Sequence, residues 1–198
     1  MTIASGTTAF YDDWALNGQE NPRSLISRQF ESAFAPGSRV LDVGCGKGRD
    51  LAVLLEMGFA AYGIEPHDAM RTQAIEQHPG LADRISPAAL PDIGLPFGGG
   101  FDGVLCSAVL MHIPDAALPA SFAAFSAVLR PRARLLMAVP ELRSDLLVDG
   151  HDPDGRQFTN HRRDHIASLL APHGFELLRS DDLVTSDDTH WRVLLFQR

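Results

Sequence analysis

Lysine is nearly missing from this 198-residue chain: Lys47 stands alone, and arginine supplies the rest of the 17 basic side chains. They face 25 acids, for a formal net charge of −8. A surface of that sign repels a phosphate backbone, so non-specific nucleic-acid binding is not expected. Cysteine is scarce as well. Cys45 and Cys106 cannot staple a domain of this length, so the fold must rest on an apolar core in a reducing compartment. No stretch approaches the ~20 apolar residues of a membrane helix. Residues 1–15 lack the basic start and apolar run of a secretion signal, so a cytoplasmic location without a membrane partner is expected. What is present is ordinary for a globular protein, with 45% apolar and 21% charged residues, and the length suits one domain over 1–198.

Short apolar runs alternate with amphipathic stretches. The runs 39–43, 60–64, 101–108, 134–139, 175–178 and 191–196 read as strands, and 83–86 as a weaker one. Helices are predicted over 24–35, 49–57, 67–78, 115–130 and 165–170, with Pro36-Gly37 and Gly58 as stops. The strands show no polar alternation, which argues for a parallel sheet buried on both faces. The last two runs are joined by an acidic loop over 181–189 without a crossover helix, and therefore predict an antiparallel hairpin. The expected fold is α/β: a doubly wound, Rossmann-like, mostly parallel sheet with an antiparallel C-terminal hairpin at its edge, in three layers. Ligands of such sheets bind beyond the carboxyl ends of the strands.

The chemistry centres on Val40-Leu41-Asp42-Val43-Gly44-Cys45-Gly46-Lys47-Gly48. Three glycines in a strand-to-helix turn let main chain approach a ligand with no Cβ in the way. Glu65 ends the next strand, where a carboxylate can accept both ribose hydroxyls of a nucleoside seated on the turn. A phosphate-binding GxxxxGK[ST] loop fails, because Gly48 follows Lys47. The dinucleotide turn also fits poorly, since Gly48 follows Gly46 by two residues rather than three. A nicotinamide-dependent oxidoreductase nevertheless stays open as an alternative.

At this point the chain resembles the class I S-adenosylmethionine-dependent methyltransferases, of the small bacterial methyltransferase-domain type. The matching segments are VLDVGCGKGRD (40–50), GIEPHDAM (63–70), LPFGGGFDGVLCSAVLMHIPD (95–115), LRPRARLLMAVP (129–140) and the closing GFELL…WRVLLFQR. The resemblance implies S-adenosylmethionine as cofactor, with S-adenosylhomocysteine as product, and methyl transfer to O, N, S or C of a small-molecule acceptor. It implies that Asp42 holds the methionine amino group and that Gly44, Cys45 and Gly46 present backbone to the methionine and ribose. Glu65 would bind the ribose hydroxyls, Pro66 and His67 would pack on adenine, and Ser107 would offer its carbonyl near the amino group. The third strand departs from the family pattern in lacking a terminal acid. Backbone of Ala89 and Leu90 stands in its place, with Asp92 less well situated. A non-catalytic cofactor-binding regulator is the rival of a different class.

Transfer from a sulfonium is an in-line displacement that mainly needs the acceptor held at ~3–3.5 Å, with a base only where the acceptor arrives protonated. His112, just past the fourth strand, is the candidate base. Tyr11 and Trp14, within the FYDDWA segment (10–15), are candidates to cover the cofactor or wall the acceptor pocket. Arg162 and Arg163 are candidates for an anionic group on the substrate. His161 and His165 sit four apart, but the arginines between them repel a cation, and no metal is expected. Residues 1–35 are read as a helical cover and 141–160 as a substrate lid, and the chain as a monomer or homodimer.

Overall fold

The computed structural model describes residues 4–18, 24–185 and 189–198. Six α-helices follow in chain order, α1 (Ser5–Asn17), α2 (Phe30–Ala33), α3 (Arg49–Glu56), α4 (Asp68–Gln77), α5 (Leu118–Val128) and α6 (Arg163–Leu170). The strands are β1 (Arg39–Val43), β2 (Ala60–Ile64), β3 (Ile85–Ser86), β4 (Phe101–Ser107), β5 (Leu129–Glu141), β6 (Glu176–Val184) and β7 (His190–Gln197). They form one sheet in the order β3-β2-β1-β4-β5-β7-β6. The first five are parallel, and β7 runs antiparallel between β5 and β6. The hairpin therefore folds back so that its second strand pairs with the parallel sheet.

Successive side chains on a strand point to opposite faces, and here both faces are dry. Leu41 and Val43 of β1, Val104 and Cys106 of β4 and Leu135, Met137 and Val139 of β5 join one cluster, with Phe122 and Phe125 of α5. Val40, Leu105, Leu136 and Ala138 face the other way, onto Phe30, Phe34 and Leu51. That is why the strand sequences carry no polar alternation. Gly103 has no Cβ for a steric reason: one there would stand 2.4 Å from the Phe34 ring.

The larger differences from the sequence expectation lie at three places, one of them Leu129–Arg130, expected at the end of a helix over 115–130 but found in β5. The stretch 24–35 is a pair of short turns, Ser27–Gln29 and α2, because Ser24 Oγ accepts the Ile26 and Ser27 N–H groups and starts a turn there. The final strands are longer than their apolar runs, and β6 continues to Val184 through Asp181 and Asp182. At that edge one face of the strand meets solvent, so acids are tolerated.

Candidate active site

The C-terminal ends of β1, β2, β4 and β5 open into a cavity of about 670 Å³, within the size range of small-molecule sites. The main chain turns at Gly44 and Gly46 with φ of 72° and 54°. An added Cβ on Gly44 would lie 2.5 Å from Val109 Cγ2, whereas one on Gly46 would meet nothing within 4 Å. Gly44 is thus pressed against the β4 turn, and Gly46 presents bare backbone to the opening. Across from it, Glu65 Oε2 accepts the Gly46 N–H (3.0 Å) and Oε1 the His67 N–H (2.9 Å). Burial raises the Glu65 pKa, and those two amides oppose the rise. Asp42, only 3% exposed, lies on the same wall.

The structure brings Asp42, Gly44, Cys45, Gly46, Glu65, Pro66, His67, Ala89, Leu90, Ser107, His112, Tyr11 and Trp14 to this one cavity. Asp92 is exposed and off its lining. Arg162 and Arg163 lie outside it too: both are exposed at the start of α6, and Arg163 pairs with Asp164 at 3.0 Å. The helix turns its apolar Ile166 and Leu170 inward, which sends its first-turn charges to water. His161 and His165 do not share a helix face. His161 precedes α6 and is buried, its Nε2 facing the carbonyl oxygens of Leu110 (2.9 Å) and Ile113 (3.0 Å), while His165 is exposed. Among the described residues no three His, Cys, Asp or Glu are grouped to hold a metal.

His112 sits on the 3-10 turn Leu110–His112, which His161 pins from behind. Its Nδ1 is 2.7 Å from the Gln157 carbonyl and its Nε2 2.8 Å from Tyr11 Oη. A carbonyl only accepts, so Nδ1 carries the hydrogen and Nε2 offers its lone pair to the Tyr11 hydroxyl. Burial lowers the His112 pKa to about 4, so the ring is neutral at pH 7. Burial also raises the Tyr11 pKa, against the charge of neighbouring Arg156.

Several lining residues went unread in the sequence. Lys47, 4% exposed, points away from the glycine turn: its Nζ donates to the Gly18 carbonyl (2.8 Å) and lies 4.3 Å from the centre of the Trp14 ring. Arg156 stacks over Phe10 (4.3 Å) and donates from Nε to Asp152 Oδ2 (2.7 Å). Gln157 N–H donates to Thr7 Oγ1 (2.9 Å). The loneliness of Lys47 and the single buried aromatic Phe158 in a polar stretch were the available signals. Arg156 and Thr7 had none.

A family model described as "Methyltransferase domain" matches residues 14–180. Among curated relatives, a protein-L-isoaspartate O-methyltransferase of Methylorubrum extorquens (strain PA1) is 37% identical over 109 residues, 54% of this chain and 44% of that protein. A magnesium-protoporphyrin O-methyltransferase of Synechocystis is 25% identical over 85% of this chain and 76% of its own. The chain spans less than half the length of several such relatives. The Burkholderia thailandensis 1,6-didemethyltoxoflavin-N1-methyltransferase, crystallised with 1,6-didemethyltoxoflavin and S-adenosylhomocysteine, superposes with a TM-score of 0.78 at 20% identity. That superposition covers 98% of this chain and 88% of that one. With a family match running through the glycine turn, Glu65, His112 and the β6 edge, the chain belongs to the methyltransferase-domain family.

Proposed function

We propose that this protein binds S-adenosylmethionine and transfers its methyl group to a small-molecule acceptor. The observation that carries this is the buried Glu65 carboxylate, fixed by two backbone N–H groups opposite the open face of Gly46. Each of its oxygens accepts one amide and keeps a second lone pair for a hydroxyl donor. The residues fit an adenosyl group: bare main chain at Gly46, an acid for the ribose, His67 and Pro66 beside it, and the buried Asp42 for a cationic amine. Once bound, the cofactor supplies an activated methyl on sulfur. Asp42 and Glu65 then set its orientation, while Ala89 and Leu90 offer backbone to the base in place of the missing acid.

The closing parts are α1, within the 1–35 cover, and the 141–160 segment as lid. Thr7 and Phe10 of the first touch Gln157 and Arg156 of the second, so the two covers meet, and on this reading they keep water from the acceptor space. Support for a small acceptor comes from the cavity's size and from relatives named for small molecules, magnesium-protoporphyrin and 1,6-didemethyltoxoflavin.

Calorimetric titration with S-adenosylhomocysteine and, separately, NAD tests this reading. Saturable binding of the former with none of the latter is the expected result, and the reverse would replace it with the oxidoreductase. Homocysteine-coupled screening of acceptors then separates an enzyme from a silent binder.

A further inference from the structure

Tyr11 Oη, His112 Nε2, His112 Nδ1 and the Gln157 carbonyl form an unbroken chain of hydrogen bonds, with 2.8 Å and 2.7 Å spacings. Its tyrosine end lies on the cavity. Its far end is main chain of the covering segment, which fixes the tautomer: Nδ1 must donate, so Nε2 is proton-free and aimed at the hydroxyl. The ring planes stand at 81°, and Phe158 backs the imidazole edge-on at a centroid distance of 6.4 Å. A histidine held that way is set to receive a proton through the tyrosine.

We propose, resting on the methyl-transfer reading above, that Tyr11 takes the acceptor's proton while passing its own to His112, and that the acceptor is accordingly methylated at a hydroxyl or ring N–H. As the X–CH3 bond forms and the C–S bond breaks, the leaving sulfur keeps the electron pair. The X–H proton moves to Tyr11 Oη, and the Tyr11 proton moves to Nε2. The positive charge that began on the sulfonium ends on the imidazolium, which later loses its proton to water.

The surroundings favour this acceptor class over others. A carboxylate acceptor wants a free cation, yet among the described residues the lysine and arginines lining the cavity are all engaged. Lys47 is held by Gly18 and Trp14, Arg49 by Asp50 at 3.0 Å, and Arg156 by Asp152, whose carboxylate is fully buried. An aliphatic amine arrives mostly as its ammonium, with a pKa of about 10, and must lose a proton before it can attack. The buried His112 ring is too weak a base for that task. It does not ionise a hydroxyl beforehand, but it accepts the far more acidic proton of a methylated oxonium or ring nitrogen. Phe10, Met111 and Phe158 supply apolar walls for a flat acceptor.

The test uses a matched pair that differs by one proton donor, 2-naphthol and 2-methoxynaphthalene, titrated into the 198-residue protein with and without saturating S-adenosylhomocysteine. The naphthol should bind about tenfold or more tightly than its ether, the size of one buried hydrogen bond. The preference should vanish in Tyr11→Phe and, independently, in His112→Phe. On ¹⁵N-histidine-labelled protein, His112 should show the Nδ1–H tautomer, and Tyr11→Phe should move the Nε2 resonance toward that of a free lone pair. Equal binding of the pair, no binding of either, a preference that survives Tyr11→Phe, or an Nε2–H tautomer each overturns the relay. Failure of S-adenosylhomocysteine to bind in the same titrations sinks the cofactor reading instead, because the naphthol comparison is also made without it.

Discussion

Glu65 and His112 are both buried ionisable groups, and each has an environment that predicts its behaviour. Removing the carboxylate in Glu65→Ala deletes the two acceptors proposed for the ribose hydroxyls and leaves the Gly46 and His67 N–H groups without that partner. Affinity for S-adenosylhomocysteine should fall by about 1–3 kcal/mol, which calorimetry reads directly; an unchanged constant would remove Glu65 from the site. His112 carries a pH signature. Its folded pKa of about 4 lies below the 6.5 of the unfolded chain, so between those values the unfolded state binds the extra proton. The stabilisation is therefore complete above pH 6.5 and lost as the pH falls toward 4. Urea denaturation at pH 7.5 and pH 4.5 should show a drop that His112→Gln reduces, with a ceiling of about 3 kcal/mol for the shift. At this scale the glycine turn and Glu65 were legible in the sequence as parts of one cavity, because glycine spacing and an acid at a strand end are dictated by local backbone needs. Arg156 was not, since a polar loop gives no periodicity to mark which of its charges turns inward.

Elements tell a similar story. The strands could be read because burial on both faces demands continuous apolar runs, and the ends of β5 and β6 could not, because edge and kink positions relax that demand. Within β5, Arg132 adopts φ 66° and the pairing with β4 slips between Phe101 and Gly103. Pro131-Arg132 therefore reads as a break although the strand continues. Helix α1 lies within the 1–35 stretch read as a helical cover, but the sequence did not show what holds it. Its buried residues are Thr7 and Ala15 alone, and neither core cluster includes any residue of it. It is held instead by polar ties, of which those through Thr7 and Lys47 are both buried. Lys47→Met keeps the stem but removes the donor to Gly18 and the cation over Trp14, interactions worth about 1–3 kcal/mol together. The expected outcome is an N-terminal segment cleaved faster by protease, a red-shifted Trp14 emission and little change in the urea midpoint. A midpoint that drops with no change in cleavage would instead make Lys47 a core residue. Gly44→Ala should behave oppositely. Its positive φ and the 2.5 Å approach to Val109 place the damage in the sheet–loop junction, and thermal stability should fall with no selective fraying of α1.

For the molecule as a whole, the cavity is assembled from segments far apart in the chain: the β1 and β2 turns, the β4 loop, α1, and residues 156–158. Only the first two are set by local sequence rules, which is why the glycine turn and Glu65 were legible, whereas on the remaining walls Tyr11, Trp14 and His112 were read and Thr7, Arg156 and Gln157 were not. The same arrangement links binding to stability. A ligand bridging Glu65, Gly46 and the underside of α1 ties a peripheral helix to the sheet, so S-adenosylhomocysteine should stabilise through more than its direct contacts. At about 100 times its dissociation constant, mass action alone gives about 2.7 kcal/mol. For a chain of this size that corresponds to a rise in Tm of roughly 5–10 °C. Deleting residues 1–18 should leave the urea midpoint nearly unchanged, because the core clusters exclude α1. It should also shrink the Tm rise at the same ligand concentration, because the cover no longer closes over the bound nucleoside. Hydrogen exchange across residues 5–17 should slow on binding in the intact chain. If the truncated protein were stabilised as strongly as the intact one, α1 would have no part in holding the ligand, and the cavity would be an open cleft with an ornamental lid.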